Sequence, residues 1–164
     1  QKMKDSLKVI VNENEESVNE FIQNFRKEFM SLPVEETAFP RSVNGLRKWG
    51  DKSSIFKKGT PMHIKGALIY NYLLKKHKLT NKYQLIQEGE KLRYLLLKTP
   101  NIVQSNVIAF ISELPKEFGL HDQIDRDKQF EKSFVDPIEM ILECIDCQVD
   151  RSYGTRRTLE GLFG

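Results

Sequence analysis

The chain has 164 residues, of which 39% are hydrophobic and 30% are charged. This length and composition are typical of one soluble globular domain with its own hydrophobic core. Two cysteines are too few for a disulfide-rich secreted scaffold. No apolar run approaches the roughly 18 residues of a membrane-spanning helix, so we expect no membrane partner.

The net charge of +3 conceals an uneven distribution. Residues 1–40 have a net charge of −3 and residues 99–164 one of −5, whereas residues 41–98 carry 14 Lys and Arg against three Asp and Glu. A basic region between acidic flanks is typical of a surface that meets a polyanion. A lysine-rich surface that serves only solubility would have the same charge pattern.

Apolar residues at helical spacing predict a helix over residues 5–31. Pro33 should end it, because the residue before a proline avoids the helical region. Residues 35–60 mix turn-forming, basic and aromatic residues, and we expect an irregular segment there. A second helix is predicted over residues 61–77, with Thr60 as its N-cap.

The second half of the chain predicts strands followed by a helix. The pattern around Gly89 predicts a β-hairpin over residues 83–98, and the apolar run over residues 106–111 predicts another strand. Helical periodicity returns over residues 123–146, where Pro137 should kink or restart the helix. The chain is therefore predicted to be α+β, with helices around a small antiparallel sheet.

Evidence for catalysis is weak, since no nucleotide-binding loop, nucleophile elbow or zinc-protease motif occurs in the sequence. Asp122, Asp125 and Asp127 precede a predicted helix, where capping and the helix dipole favour carboxylates. Cys144 and Cys147 form a C-x-x-C motif without a second pair for zinc or a preceding thioredoxin-like strand. We interpret these as helix-capping carboxylates and reduced thiols. A metal-dependent nuclease or a redox protein is the enzymatic alternative.

The basic region has the residue types of a phosphate-binding surface. Small residues let a phosphate approach the backbone, loop N–H groups can donate to it, and the helix that starts near residue 60 directs its N-terminus there. Such contacts bind the nucleic-acid backbone without reading bases. Trp49 and Phe56 could stack on bases or pack in the core, and core packing is favoured for both.

The C-terminal tail carries Leu159, Leu162 and Phe163 at the spacing of one helical turn. These side chains would form an apolar face that docks on a partner or packs on its own domain.

Four segments stand out, in this order across nearly the whole chain: Ala38–Arg41, Lys57–Asn71, Phe130–Pro137 and the Leu-Phe tail. Together, in order and spacing, they resemble the C-terminal region of bacteriophage (myophage-type) family-B replicative DNA polymerases. The implied region is the thumb, which grips the primer–template duplex. The resemblance implies a thumb-like DNA-binding domain over residues 1–155 and a sliding-clamp-binding tail over residues 156–164.

The resemblance also implies which residues make these contacts. Lys132 matches the lysine of a Glu-Lys-x-Phe motif, although Asp136 stands where some relatives have a basic residue. Leu159, Leu162 and Phe163 match the segment that binds the ring-shaped clamp. The implied DNA-binding residues are Arg41, Ser42, Asn44, Arg47, Lys48, Lys57, Lys58, His63, Lys65 and Lys132.

The family's paired palm aspartates, exonuclease carboxylates and finger helix do not occur in this sequence. The resemblance therefore implies a chain without catalytic residues or a cofactor of its own, in a polymerase that uses Mg²⁺ as a whole. It would act in the cytoplasm of an infected bacterial host. The chain would be a piece of a longer polymerase or the C-terminal subunit of a split one. In a split polymerase, the helix over residues 5–31 is the candidate face for the part with exonuclease, palm and fingers. The alternative function is a self-contained protein-binding adaptor whose basic face serves solubility.

Overall fold

The computed structural model of the protein describes residues 15–50 and 52–143. The chain divides into two compact units, one from Gln1–Leu32 and Asp127–Gly164 and the other from Pro33–Arg126. The predicted α+β class is confirmed, whereas the thumb-like domain and its separate tail stay predictions. The helices are α1 (Glu15–Ser31), α2 (Met62–Lys76), α3 (Arg126–Phe130) and α4 (Asp136–Glu143), and the strands are β1 (Phe39–Ser42), β2 (Lys91–Leu96) and β3 (Val107–Phe110).

The first unit is held together by aromatic side chains between α1 and the C-terminal helices. The ring centroids of Phe25 and Phe134 lie 4.5 Å apart in an edge-to-face arrangement, and the Arg26 guanidinium lies 2.6 Å from an Asp127 carboxylate oxygen. The helix predicted over residues 5–31 is confirmed from Glu15 onward, and residues 5–14 lie outside the described part.

A π-helical turn, Glu131–Val135, joins α3 to α4, and Pro137 is the second residue of α4. In a regular helix the Pro137 ring would clash with the carbonyl four residues earlier, and proline has no N–H to donate. The wider turn precedes the proline, and the Asp136 N–H donates to the Glu131 carbonyl. The interruption predicted at Pro137 is confirmed, although the helix begins only at Arg126.

The second unit is a three-stranded antiparallel sheet in the order β1-β2-β3, with α2 packed mainly on β3. All four β3 residues are buried, which explains why the predicted strand over residues 106–111 is continuously apolar. The predicted second helix is also confirmed, as α2. Its N-cap is Pro61 and not Thr60, whose hydroxyl donates to the Ser54 carbonyl instead.

Strand β1 lies in the segment that we expected to be irregular. It is an edge strand, and Phe39 pairs in register with Tyr94, with ring centroids 5.2 Å apart. Pro40 is tolerated there because an edge strand has backbone N–H positions without a ladder partner. The sequence pattern did not predict this strand, because it contains turn-forming residues and pairs with a strand about 50 residues further along the chain.

The hairpin predicted over residues 83–98 is wrong, because only Lys91–Leu96 forms a strand and its neighbours are β1 and β3. The Asn71 side chain on α2 donates to the Ile86 carbonyl at 2.9 Å and accepts from the Ile86 N–H at 2.8 Å. An amide side chain thus takes the place of a strand partner for Ile86, and residues 83–88 form no strand paired with β2.

Gly66 sets the distance between α2 and β3. A Cβ atom at this position would lie 2.9 Å from the Ala109 backbone nitrogen and 3.1 Å from the Ala109 Cβ. Backbone cannot move aside as the end of a side chain can, so the helix would have to shift away from the sheet.

We expect Gly66→Ala to destabilise the protein by about 1–3 kcal/mol through overpacking. This sign is opposite to the stabilisation of up to about 1 kcal/mol that alanine gives over glycine in a free helix. Urea unfolding measures the difference, and Lys75→Ala on the exposed part of α2 is the control with little expected effect. An equally or more stable Gly66→Ala protein would contradict the tight contact.

Candidate nucleic-acid interface

The start of α2 and the edge strand β1 enclose an open pocket of about 600 Å³ in the second unit. The strand contributes Arg41 and Ser42, and the first helical turn contributes His63. The pocket thereby brings Arg41 and Ser42 together with His63, which follows Ser42 by 21 positions in the chain. Of the predicted DNA-binding residues, the pocket brings together Arg41, Ser42, Asn44 and His63, with Met62 and Tyr94 completing its lining.

The pocket pairs a fixed positive charge with a histidine that resists protonation. Burial lowers the pKa of His63 below its usual 6.5, and the nearby charge of Arg41 lowers this pKa further. At neutral pH the positive charge of this pair therefore resides on Arg41, while the neutral imidazole offers one donor and one acceptor. An anion bound beside both side chains would reverse the effect of Arg41 and favour the protonated imidazole.

The loop after β1 is fixed by an acidic residue. The Glu88 carboxylate accepts hydrogen bonds from the N–H groups of Gly45 at 2.6 Å and Leu46 at 2.7 Å. Gly45 has φ +89°, a conformation that favours glycine and turns both amides toward one acceptor. The hydrogen bonds, with that of Gly45 first, lower the pKa of Glu88. Our expectation that these loop amides donate to a phosphate is therefore wrong for Gly45 and Leu46, because Glu88 occupies them.

The other predicted DNA-binding residues of the second unit do not line this pocket. Arg47, Lys48, Lys57 and Lys58 are exposed, and the Lys48 ammonium lies 5.3 Å from the Trp49 ring centroid. Lys65 is half-buried, and its ammonium donates to the Asn106 side chain at 3.2 Å. None of these five cations is among the residues that line the pocket.

Lys132 lies in the first unit, on the π-helical turn. Its side chain is 62% exposed, and its ammonium lies 3.1 Å from an Asp136 carboxylate oxygen. The acidic residue four positions further on therefore partly neutralises the lysine. The role of Lys132 in binding DNA stays a prediction.

The predicted tail residues Leu159, Leu162 and Phe163, and the two cysteines, lie outside the described residues. Within residues 15–50 and 52–143, no group of three or more His, Cys, Asp or Glu side chains is arranged to hold a metal ion. In the same part of the chain, no helix combines the length and the hydropathy needed to cross a membrane.

Trp49 and Phe56 have different environments. Trp49 is half-buried and packs against the core of the second unit, as favoured from the sequence, whereas the Phe56 side chain is 71% exposed. The sequence interpretation also missed Glu88 and Tyr94. Glu88 is one of only three acidic residues in the basic region 41–98, which was the available signal. Tyr94 carried no comparable signal, because it reaches the pocket through pairing with β1.

No family model matches the chain. The chain is 32% identical over 167 aligned residues to the DNA-directed DNA polymerase of Enterobacteria phage T4. The alignment covers 99% of this chain and 18% of that polymerase, so the chain corresponds to one region of a much longer protein. This similarity supports a relation to bacteriophage DNA polymerases, in agreement with the resemblance of the sequence segments.

We expect Glu88→Gln to destabilise the protein at pH 7, because the amide is a weaker acceptor than the carboxylate for the loop N–H groups. A lowered pKa stabilises the folded state above the ordinary Glu pKa of 4.5, and this stability is lost as the pH falls through the folded-state pKa. The difference from the wild type should therefore shrink on acidification. Urea unfolding from pH 7 to about pH 3.5 measures it.

Glu113→Gln, which removes an exposed carboxylate elsewhere in the second unit, is the matched control. A Glu88→Gln difference that stays constant between the two pH values would show that the carboxylate charge does not hold the loop.

Proposed function

We propose that this chain is the duplex-gripping thumb portion of a bacteriophage family-B DNA polymerase, which acts in an infected bacterial cell. It holds the primer–template by its phosphate backbone and tethers the polymerase to a sliding clamp through the C-terminal tail. The observation that carries this proposal is the pocket of Arg41, Ser42, Asn44 and His63 in a strongly basic unit that is similar to part of a phage DNA polymerase.

Electrostatics support a polyanionic ligand for the second unit. Residues 41–98, with 14 basic and three acidic residues, lie entirely within Pro33–Arg126. One of those acidic residues, Glu88, is engaged by loop amides. The field of this region is positive because basic residues far outnumber acidic ones, and it attracts the regularly spaced charges of a nucleic acid.

The pocket chemistry suits a backbone phosphate. Arg41 can donate two hydrogen bonds to phosphate oxygens, and Ser42 and Asn44 can donate one or more each. The first-turn N–H groups of α2 have no acceptor within the helix, and its N-cap Pro61 has no side-chain acceptor to offer them. These groups recognise phosphate and carry no preference for a base, which is what a protein that slides along a duplex requires.

The catalytic steps belong to other parts of the polymerase in this proposal. The sequence lacks the family's palm and exonuclease carboxylates, so the chain contributes positioning and retention of DNA. The proposal covers both a piece of a longer polymerase and a separately encoded subunit.

Replacement of both Lys57 and Lys58 by alanine should weaken binding to a short DNA duplex about equally for all sequences. Each lost phosphate contact reduces the slope of log K against log salt by about 0.9, so the slope should fall by up to about 2. Fluorescence anisotropy at several salt concentrations measures both quantities.

Lys27→Ala combined with Lys116→Ala removes the same charge from two exposed positions outside the basic region 41–98. The proposal requires this control to retain most of the affinity and slope. A loss confined to one DNA sequence would contradict backbone recognition, and absence of duplex affinity at low salt would favour the adaptor function.

Replacement of both Leu162 and Phe163 by alanine should abolish binding to a phage sliding clamp, because the apolar anchors of the tail are removed. Duplex binding should remain, since the basic unit is unchanged. Surface plasmon resonance on an immobilised clamp measures the first effect, and the Lys57/Lys58 variant is the reciprocal control that should keep its clamp affinity. Unchanged clamp binding by the tail variant would remove the tail from the proposal.

A further inference from the structure

A second concavity of the same unit, a groove of about 660 Å³, lies along the later turns of α2. Its lining includes the buried side chains of Ile69, Leu73 and Phe118. The groove thus has an apolar interior that is continuous with the core. None of its lining residues was among the predicted DNA-binding residues.

Exposed apolar side chains are concentrated on this groove. Phe56 is 71%, Tyr72 45% and Ile102 74% exposed, and all three line it. Among the described residues only one other large hydrophobic side chain, Met140, is comparably exposed. Apolar side chains gathered in this way indicate a binding surface.

The charge around the groove favours an anionic ligand. Residues 52–87 contain eight lysines and no aspartate or glutamate, and this stretch supplies most of the groove lining. Lys76 lines the groove, and Lys57 and Lys58 follow Phe56 directly in the chain. The acidic lining residue Glu117 is bound by the Lys82 ammonium at 2.6 Å.

Aromatic rings beside lysines distinguish between classes of anionic partner. Protein interfaces are depleted in lysine, whereas sites for single-stranded nucleic acid combine a basic groove with rings on which bases stack. Phe56 is followed by Lys57 and Lys58, and Tyr72 lies one helical turn before Lys76. We propose that this groove binds a single-stranded nucleic-acid segment, with bases stacked on Phe56 and Tyr72 and phosphates near the lysines.

The groove and the Arg41–His63 pocket are both lined by residues of α2, the pocket by its first turn and the groove by its later turns. Between His63 and Tyr72, α2 rises by about 14 Å at 1.5 Å per residue. This distance corresponds to about four phosphates at 3.4 Å spacing. The inference rests on the proposed duplex grip and extends it to the unpaired strand that continues from a duplex end.

The test uses the full 164-residue chain and two labelled ligands, a blunt DNA duplex and the same duplex with a single-stranded dT tail. Stacking of one base contributes about 1–3 kcal/mol, so the tail should increase the affinity of the wild type about tenfold or more. The Phe56→Ala/Tyr72→Ala variant should lose this increase and keep its affinity for the blunt duplex. A second tail of rU shows whether the strand can also be RNA.

Two variants separate stacking from a general loss of apolar surface. Tyr72→Phe keeps the ring and should retain the tail effect. Met140→Ala removes a side chain of similar exposure from the first unit and should also retain it. Loss of the tail effect in Met140→Ala to the same extent as in the double variant would overturn the assignment to the groove.

The outcomes for the wild type are distinct. Equal affinity for blunt and tailed duplexes overturns the groove inference and leaves the duplex grip intact, whereas no affinity for either overturns the proposed function. An acidic amphipathic peptide is measured in parallel. Peptide binding that depends on Phe56 and Tyr72, without a tail effect, would assign the groove to a protein partner and overturn the inference.

Discussion

The close approach of α2 to β3 at Gly66 is the contact on which both surfaces of the second unit depend. Because no Cβ stands between the helix and Ala109, α2 lies against the sheet at a distance that larger residues do not allow. Its first turn then meets the edge strand at the pocket, and its later turns form one wall of the groove. A shift of the helix would move both surfaces together.

Two side chains hold the irregular segments of this unit in place. The Asn71 amide binds both backbone polar groups of Ile86, and the Glu88 carboxylate binds the amides of Gly45 and Leu46. Each substitutes for a missing backbone partner. The Glu88 interaction also has an electrostatic cost, since it places a negative charge beside a loop that carries Arg47 and Lys48. The loop backbone is therefore ordered at the expense of some positive potential beside these cations.

The local sequence pattern was sufficient to predict secondary structure where a residue's environment depends on its own helix or strand. Helical spacing predicted α2 and the described part of α1, and a continuous apolar run predicted β3 because that strand is buried throughout. The pattern did not predict secondary structure that depends on contacts with residues far away in the chain. Strand β1 was missed because Pro40 is tolerated only at a sheet edge, and the hairpin was wrong because Asn71 occupies the backbone of Ile86.

The candidate site was predictable to a similar extent. Residue types and the family resemblance predicted Arg41 and His63 as DNA-binding residues, and the fold brings both into one pocket. They did not identify Tyr94, which lines the pocket because its strand pairs with β1. They also missed Glu88, an acidic residue in a basic region that holds the loop backbone. The exposure of Phe56 was equally unpredictable from the sequence, because an aromatic residue in a turn-rich segment belongs to no periodic pattern that would indicate burial or exposure.

The order of the two units along the chain has a consequence for folding. The second unit, residues 33–126, is an insertion of 94 residues between the two segments of the first. Contacts such as that between Phe25 and Phe134 must therefore close a long loop, which costs conformational entropy until the insertion is itself folded. Local contacts form faster than such distant ones, so the inserted unit is expected to fold early and to replace a flexible loop by a fixed body. Mutations that unfold the core of the second unit would then also destabilise the aromatic cluster of the first, although no residue of that cluster changes. The reason is that the cluster would again have to close a long flexible loop, which costs conformational entropy.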